Sequence, residues 1–172
     1  MADRIDSSLI QLINQNLAIA HKISRVYFTD PEDREDVVQE MMFQLWKSYK
    51  NFDGRSKFST WMYSVCLNTA LTFHRKAKKQ RHEAISVAHH QIAEPKPESK
   101  EAAINLLFET IGTLQPLNKA IMLLYLEDLS YDEISAITGL TKSNVGVRIV
   151  RIKKDLEIEM KKKIKTVEDE NL

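Results

Sequence analysis

The stretch from Leu129 to Leu156, LSYDEISAITGLTKSNVGVRIVRIKKDL, leaves the chain the least freedom. Ser130 stands where a helix N-cap belongs, Glu133 three residues on completes a capping box, and Ile134 and Ile137 keep helical apolar spacing. A first helix therefore starts near Tyr131. Gly139 can leave a helix through positive φ, and Thr141, with Asn144 three residues later, caps the next helix. The outcome is a helix-turn-helix. In its second helix Val145, Ile149, Ile152 and Leu156 fall on one core-facing stripe. The opposite arc carries Ser143, Asn144, Val147, Arg151 and Lys154, with Lys142 and Arg148 on its flanks. Hydrogen-bonding groups near the helix start, an apolar group able to meet a thymine methyl, and cations for phosphates suit the major groove of DNA. The plainer alternative is a solvated face with scattered Lys and Arg. Val147 and Val150 off the core stripe, and Asp155 as the only acid on this helix before Leu156, weigh against it.

Only 4 Gly and 4 Pro in 172 residues, with a mixture rich in Lys, Glu, Leu, Ile and Ala, point to an all-α protein. The single cysteine, Cys66, cannot close an internal disulfide, which suits a reducing compartment. No run of about 18 apolar residues is present, and MADRIDSS lacks the basic-then-apolar order of a signal peptide. The expected location is the cytoplasm, without membrane insertion. With 25 Lys and Arg against 24 Asp and Glu, the net charge is +1. That is low for a DNA binder, whose affinity comes largely from counterion release, unless the charge is segregated along the chain.

It is segregated. Leu9, Leu12, Ile13, Leu17, Ala20, Ile23 and Tyr27 recur at helical spacing and predict one or two amphipathic helices. Asp30-Pro31-Glu32 then restarts a helix, with a cap, a proline at the first helical position and acids in the first turn. Val38, Met41, Met42, Leu45 and Tyr49 are its expected buried stripe. Its other arc groups Asp36, Gln39, Glu40, Phe43, Trp46 and Lys47. Aromatic groups in a polar frame fit a protein-docking surface, with packing inside the same domain as the alternative. After the turn residues of NFDGRSK, Ser59 or Thr60 is expected to cap a helix from Trp61 to about Lys79. Tyr63, Cys66, Leu67, Ala70 and Phe73 form its buried arc, leaving Trp61, Val65, Asn68, Thr72, Arg75 and Lys76 outside. HRKAKKQRH follows without an acid. Such a face suits single-stranded or distorted DNA, the alternative being a helix packed through Trp61 with a solvated basic tail.

From Glu83 to about Glu101 periodicity is lost, and Pro95 and Pro97 fall in this stretch. We read it as a flexible linker that spans at most about 65 Å. His82, His89 and His90 lack the spaced partners of a metal site. Beyond it, Ala102 to Gly112 is amphipathic through Ile104, Leu107, Phe108 and Ile111, and Pro116 opens a helix whose Ile121, Leu124 and Tyr125 back the helix-turn-helix. Two small helical domains result, residues 1–82 and 102–160, joined by linker 83–101 and followed by a charged tail, 161–172, expected to fray.

Taken in order, Glu35-Asp36-Val37-Val38-Gln39-Glu40 with Leu45-Trp46, Phe52-Asp53-Gly54, Phe58-Ser59-Thr60-Trp61 with Asn68 and Arg75, and Leu129 to Ser135 with Val145, Arg148 and Arg151 carry a resemblance. The chain resembles a bacterial RNA polymerase sigma factor of the extracytoplasmic-function (ECF) type, over nearly its whole length. The resemblance implies that Asp36, Gln39, Glu40 and Phe43, with Lys47 beside them, dock on polymerase core at the clamp of its largest subunit, and that core also engages the chain through its flap. It implies that Phe52, Asp53, Ser59, Trp61, Asn68, Thr72, Arg75, Lys76 and Lys79 hold and open the promoter minus-ten region. It assigns Thr141, Lys142, Ser143, Asn144, Val147, Arg148, Arg151 and Lys154 to the minus-thirty-five element. An inhibitory anti-sigma factor is a common partner in that family, and no residue here points to one by itself. The chain departs from the family pattern at Thr72, Lys119 and Asn144 to Val147, the last inside the reading helix.

A stand-alone helix-turn-helix regulator is the alternative, but it would normally dimerise, and the chain shows no sustained heptad for that. An adaptor without DNA binding is a third reading. No Gly-rich phosphate loop, metal-ligand spacing or nucleophile signature appears, so neither an enzyme nor a cofactor is expected.

Overall fold

The computed structural model of the protein describes the backbone of residues 2–83 and 100–169 and the side chains of residues 7–77 and 100–165. All regular structure among them is helical, in two compact units, Met1–Lys79 and Gln80–Leu172.

The first unit begins with α1 (Ala2–Asn16) and α2 (Ala18–Tyr27), so the apolar spacing from Leu9 to Tyr27 belongs to two helices broken at Leu17. Pro31–Ser48 is α3. The Asp30 carboxylate accepts the Glu32 backbone N–H at 2.8 Å, and Pro31 occupies the first helical position without losing a needed donor. Arg34 in that first turn donates through Nε to the Phe28 carbonyl at 2.8 Å, tying the end of α2 to the start of α3. The buried line of α3 is Val37, Met41 and Leu45, with Val38 and Met42 only half-buried on its flank. The stripe is therefore rotated from the predicted one toward Val37, which an i, i+4, i+8 ridge packed on α2 requires.

A turn of 3-10 helix, Tyr49–Asn51, and an irregular loop lead to α4 (Phe58–Glu83). This helix starts earlier than predicted, because the Trp61 N–H already donates to the Lys57 carbonyl and Phe58 packs among aromatic rings. Ser59 and Thr60 consequently lie inside the first turn. Met62, Tyr63, Cys66, Leu67 and Ala70 are buried, and Phe73 meets Phe28 edge to face at 5.5 Å.

The second unit contains α5 (Lys100–Gly112), α6 (Pro116–Leu126), α7 (Tyr131–Thr138) and α8 (Lys142–Asp169). Every residue of α6 from Lys119 to Leu124 is buried, as expected of a helix enclosed by neighbours, here α5, α7 and α8. Burial also lowers the pKa of the Lys119 ammonium. On α5 Ile111 is buried as the predicted stripe has it, with Ala102 and Thr110 beside it, while Ile104 is exposed, contrary to expectation. Thr110 is tolerated there because its hydroxyl donates to the Leu106 carbonyl at 2.7 Å. Helix α8 continues past Met160, where the pattern placed its end, with Lys161 bonded to Glu157 and Lys162 to Glu159 along its exposed side.

Burial within the first unit pushes the Cys66 thiol up to about 12. Its thiolate is disfavoured only in the folded chain, so stability is expected to fall as pH rises above the ordinary thiol range near 9. At neutral pH the folded protein should react far more slowly with a chromogenic thiol reagent than the chain in concentrated urea. Equal rates would contradict this burial.

Candidate nucleic-acid interface

The turn between α7 and α8 sets how the last helix is presented. Ser130 Oγ accepts the Glu133 N–H at 3.3 Å and the Glu133 carboxylate accepts the Ser130 N–H at 2.9 Å, a complete capping box. At the other end of α7, Gly139 has φ 73° and donates to the Ser135 carbonyl, while the Ser135 hydroxyl donates to the Leu140 carbonyl. Thr141 Oγ1 then accepts the Asn144 N–H at 3.3 Å and starts α8. Val145, Ile149, Ile152 and Leu156 are buried on the predicted stripe.

On the outward side of α8, Thr141, Lys142, Ser143, Asn144, Val147, Arg151 and Lys154 are exposed. Lys142 reaches Asp132 at 2.7 Å, but both side chains are more than half exposed, so the pair contributes little and exchanges readily for a phosphate. Arg148 alone leaves the open arc. Its Nη1 donates to Asn118 Oδ1 at 3.1 Å, bracing α8 against the first turn of α6, and its buried Nε has no acceptor among the described residues. The sequence carries no local signal for this pairing across 30 positions.

The first unit offers two further surfaces. On α3, Asp36, Gln39, Phe43, Trp46 and Lys47 are exposed, Phe43 to 50% and Trp46 to 60%. The two rings lie 6.3 Å apart and Lys47 Nζ sits 6.0 Å from the Phe43 centroid. Glu40 is half-buried and accepts from Gln44 at 2.7 Å, which holds it beside this face. Packing within the unit therefore does not absorb the aromatic groups.

Trp61 differs from its expected position on an open arc. It is half-buried in a cluster with Phe52 at 5.1 Å, Phe58 at 5.4 Å and Tyr49 at 6.2 Å, which closes the two ends of the 52–58 loop on each other. Within that loop the Arg55 backbone N–H and guanidinium both donate to Asp53, holding its carboxyl below the ordinary range. Farther along α4, Asn68, Thr72, Arg75 and Lys76 are exposed on one side, with Arg75 Nε donating back to the Leu71 carbonyl. Ser59 is half-buried near the helix start. The side chains of Lys78, Lys79, Arg81 and His82, and linker residues 84–99 with His89, His90, Pro95 and Pro97, lie outside the described residues.

Sequence profiles of known families match both units: Sigma-70 region 2 over residues 12–80 and Sigma-70 region 4 over residues 104–156. The ECF RNA polymerase sigma-E factor of Escherichia coli K12 is 30% identical over 152 residues, 81% of this chain and 78% of that protein. The chain belongs to the ECF sigma factors. The sigma-E factor of Haemophilus influenzae is 29% identical, covering 91% of this chain and 96% of its own length. Among solved structures, the sigma factor RpoE in complex with the anti-sigma factor NepR from Bartonella quintana superposes with a TM-score of 0.68 at 19% identity, over 91% of this chain and 96% of that one. CnrH in complex with the cytosolic domain of CnrY gives 0.64 at 21%, over 91% and 89%. Both likenesses bear on the fold.

As an ECF sigma factor the protein serves RNA polymerase in transcription initiation, and the stand-alone regulator is not favoured. Among the described residues no group of three His, Cys, Asp or Glu could hold a metal ion, and no helix is long and apolar enough to cross a membrane. The capping box that fixes α7 is directly testable. Ser130→Ala should cost about 1 kcal/mol in urea unfolding of the full chain. An unchanged midpoint and slope would show that the box contributes nothing to holding the helix-turn-helix.

Proposed function

We propose that this sigma factor divides promoter recognition between its two units, taking residues 1–82 and 102–160 as the working domains and 83–101 as the flexible linker between them. In this reading α3 docks on the polymerase clamp through Asp36, Gln39, Glu40, Phe43 and Lys47, with Trp46 in the same patch. The exposure of Phe43 and Trp46 inside a polar frame supports it, since a monomer has no use for that apolar area in water.

The 52–58 loop and α4 engage the minus-ten region. Opening DNA there means extruding a base, which costs a few kcal/mol and requires a surface ready to receive it. The Phe52–Trp61 cluster supplies stacking surface beside Asp53 and Ser59, while Asn68, Thr72, Arg75, Lys76 and Lys79 follow the strand. Helix α8 reads the minus-thirty-five element, with Asn144, Ser143 and Arg151 toward base edges and Lys142 and Lys154 toward phosphates. Arg148 serves this face by bracing α8 on Asn118. The polymerase flap holds this second domain in place. The protein acts in the cytoplasm, has no chemistry of its own, and is open to restraint by an anti-sigma factor, as the RpoE–NepR complex among its solved neighbours suggests.

The net charge of +1 supports a division of labour in which core polymerase supplies affinity and this subunit supplies choice. Mixed with sigma-free core, the purified chain is expected to yield promoter-dependent transcripts from genomic fragments. Folded protein that yields none would overturn the reading. Phe43→Ala combined with Gln39→Ala should weaken core binding by about 2 kcal/mol, the scale of an interface hot spot, without unfolding the chain. Arg151→Ala should lower upstream-element recognition by roughly 1 to 3 kcal/mol if it contacts a base, and by much less if it touches phosphate alone. Tight, sequence-specific binding by the isolated chain at physiological salt would contradict the division.

A further inference from the structure

The reading face of α8 contains more hydrocarbon than recognition by hydrogen bonds and charge requires. Val147 is 46% exposed and Val150 68%, the latter the most exposed large apolar side chain in the described protein. At about 3.6 residues per turn, Val150 falls between Gly146 and Val147 around the helix, so the three positions form one strip. Gly146 is the reason the strip widens. A Cβ there would lie 3.3 Å from Tyr131 Cε2, so its absence lets the Tyr131 ring settle against α8, with Tyr131 as a whole still 36% exposed. Glycine inside a helix costs about 1 kcal/mol relative to alanine, and the close approach of the ring is what this one permits.

We propose that Val147 and Val150, bordered by Tyr131 on Gly146, recognise pyrimidine 5-methyl groups, so that the upstream element selected by this factor carries thymine in neighbouring base pairs. The proposal rests on the assignment of α8 to that element and adds what the helix reads there. A valine neither donates nor accepts a hydrogen bond. Pressed against the exposed donors and acceptors of the other bases it removes their water and returns nothing, whereas thymine alone presents a methyl group in the major groove. Side chains three apart on a helix have Cβ atoms about 5–6 Å apart, and base pairs rise by about 3.4 Å, so the two valines reach pairs that are adjacent or one apart. The surrounding charge selects nucleic acid over a protein helix as the occupant. Lys142, Arg151 and Lys154 are exposed around the strip, and the exposed Lys142–Asp132 pair adds no net negative charge beside it.

The test uses holoenzyme assembled from the full chain and polymerase core. The upstream element of the best genomic promoter it selects is rebuilt with deoxyuridine in place of each thymidine in turn, which keeps the pairing and removes only the methyl group. Deoxyuridine at one or two neighbouring pairs should lower holoenzyme binding about four-fold each, the effect of exposing one buried methyl. In Val147→Ser and Val150→Ser holoenzymes, with helicity unchanged by circular dichroism, the two templates should bind alike. Equal binding of both templates by the unmodified holoenzyme, an element without thymine at adjoining pairs, or serine variants that still discriminate would each overturn the proposal. Arg151→Ala separates the two levels of inference. If it weakens upstream recognition while uracil has no effect, α8 reads DNA without its valines. If neither change matters, the assignment of α8 fails as well. No uracil effect in the unmodified holoenzyme, together with weaker binding of polymerase core by the serine variants, would assign the strip to protein.

Discussion

The second unit depends on the three-residue turn between α7 and α8. Gly139 takes a left-handed conformation that costs an ordinary L-residue about 1–2 kcal/mol, and it does so at the one place where α7 must end without leaving its carbonyls unmet. The Ser135 hydroxyl and the Thr141 cap then complete the hydrogen bonding on either side. With both helix ends satisfied, the angle of α8 is set by packing, since Ile134, Val145 and Ile149 are buried and α7 and α8 both meet the buried α6. The outward arc of α8 is rigid because its inward stripe has no alternative register. A one-residue rotation would expose Val145 and bury Asn144.

That turn was the most legible part of the chain, since capping boxes and left-handed glycines are encoded by neighbours in sequence. The same holds for Asp30-Pro31, whose cap needs no tertiary partner. Interactions across the unit were harder to read. The rotation of the α3 stripe onto Val37 follows from α2 packing beside it, and the burial of Thr110 in place of Ile104 follows from how α5 meets α6 and α8. The pairing of Arg148 with Asn118 joins residues with no periodic relation. Trp61 follows the packed alternative for a related reason. A helical wheel sets it on the outer arc, yet it cannot register a loop that folds Phe52 back over the helix start. The Asp128 backbone, at φ 56° before the capping box, gave no sequence warning either, because aspartate occupies many conformations besides the left-handed one. Of the candidate site, the exposed faces of α3 and α8 were visible as periodicity. Which cations on them are tethered was not, since tethers such as Lys142 to Asp132 depend on the turn that brings α7 beside α8.

Charge and apolar area are distributed here in opposite senses to a self-sufficient DNA-binding protein. Acids share α3 with its exposed rings, while cations gather late on α4 and along α8, so the chain approaches neutrality without being uniform. Long-range attraction to DNA is consequently weak, and short-range complementarity decides where the protein rests once it is brought close. Weak long-range attraction suits a subunit whose encounter with promoters is made by a larger assembly, because avid binding elsewhere on the genome would withdraw it from polymerase.

The placement of the two tryptophans has an optical consequence. Both lie in the first unit, one in water on α3 and the other half-enclosed by three rings beside the 52–58 loop. Emission from Trp46 therefore reports on whatever covers the α3 face, and emission from Trp61 reports on whether the aromatic cluster stays closed. The second unit contributes no indole signal of its own, so the unlabelled protein already carries separate fluorescent reporters for docking and for rearrangement of that loop.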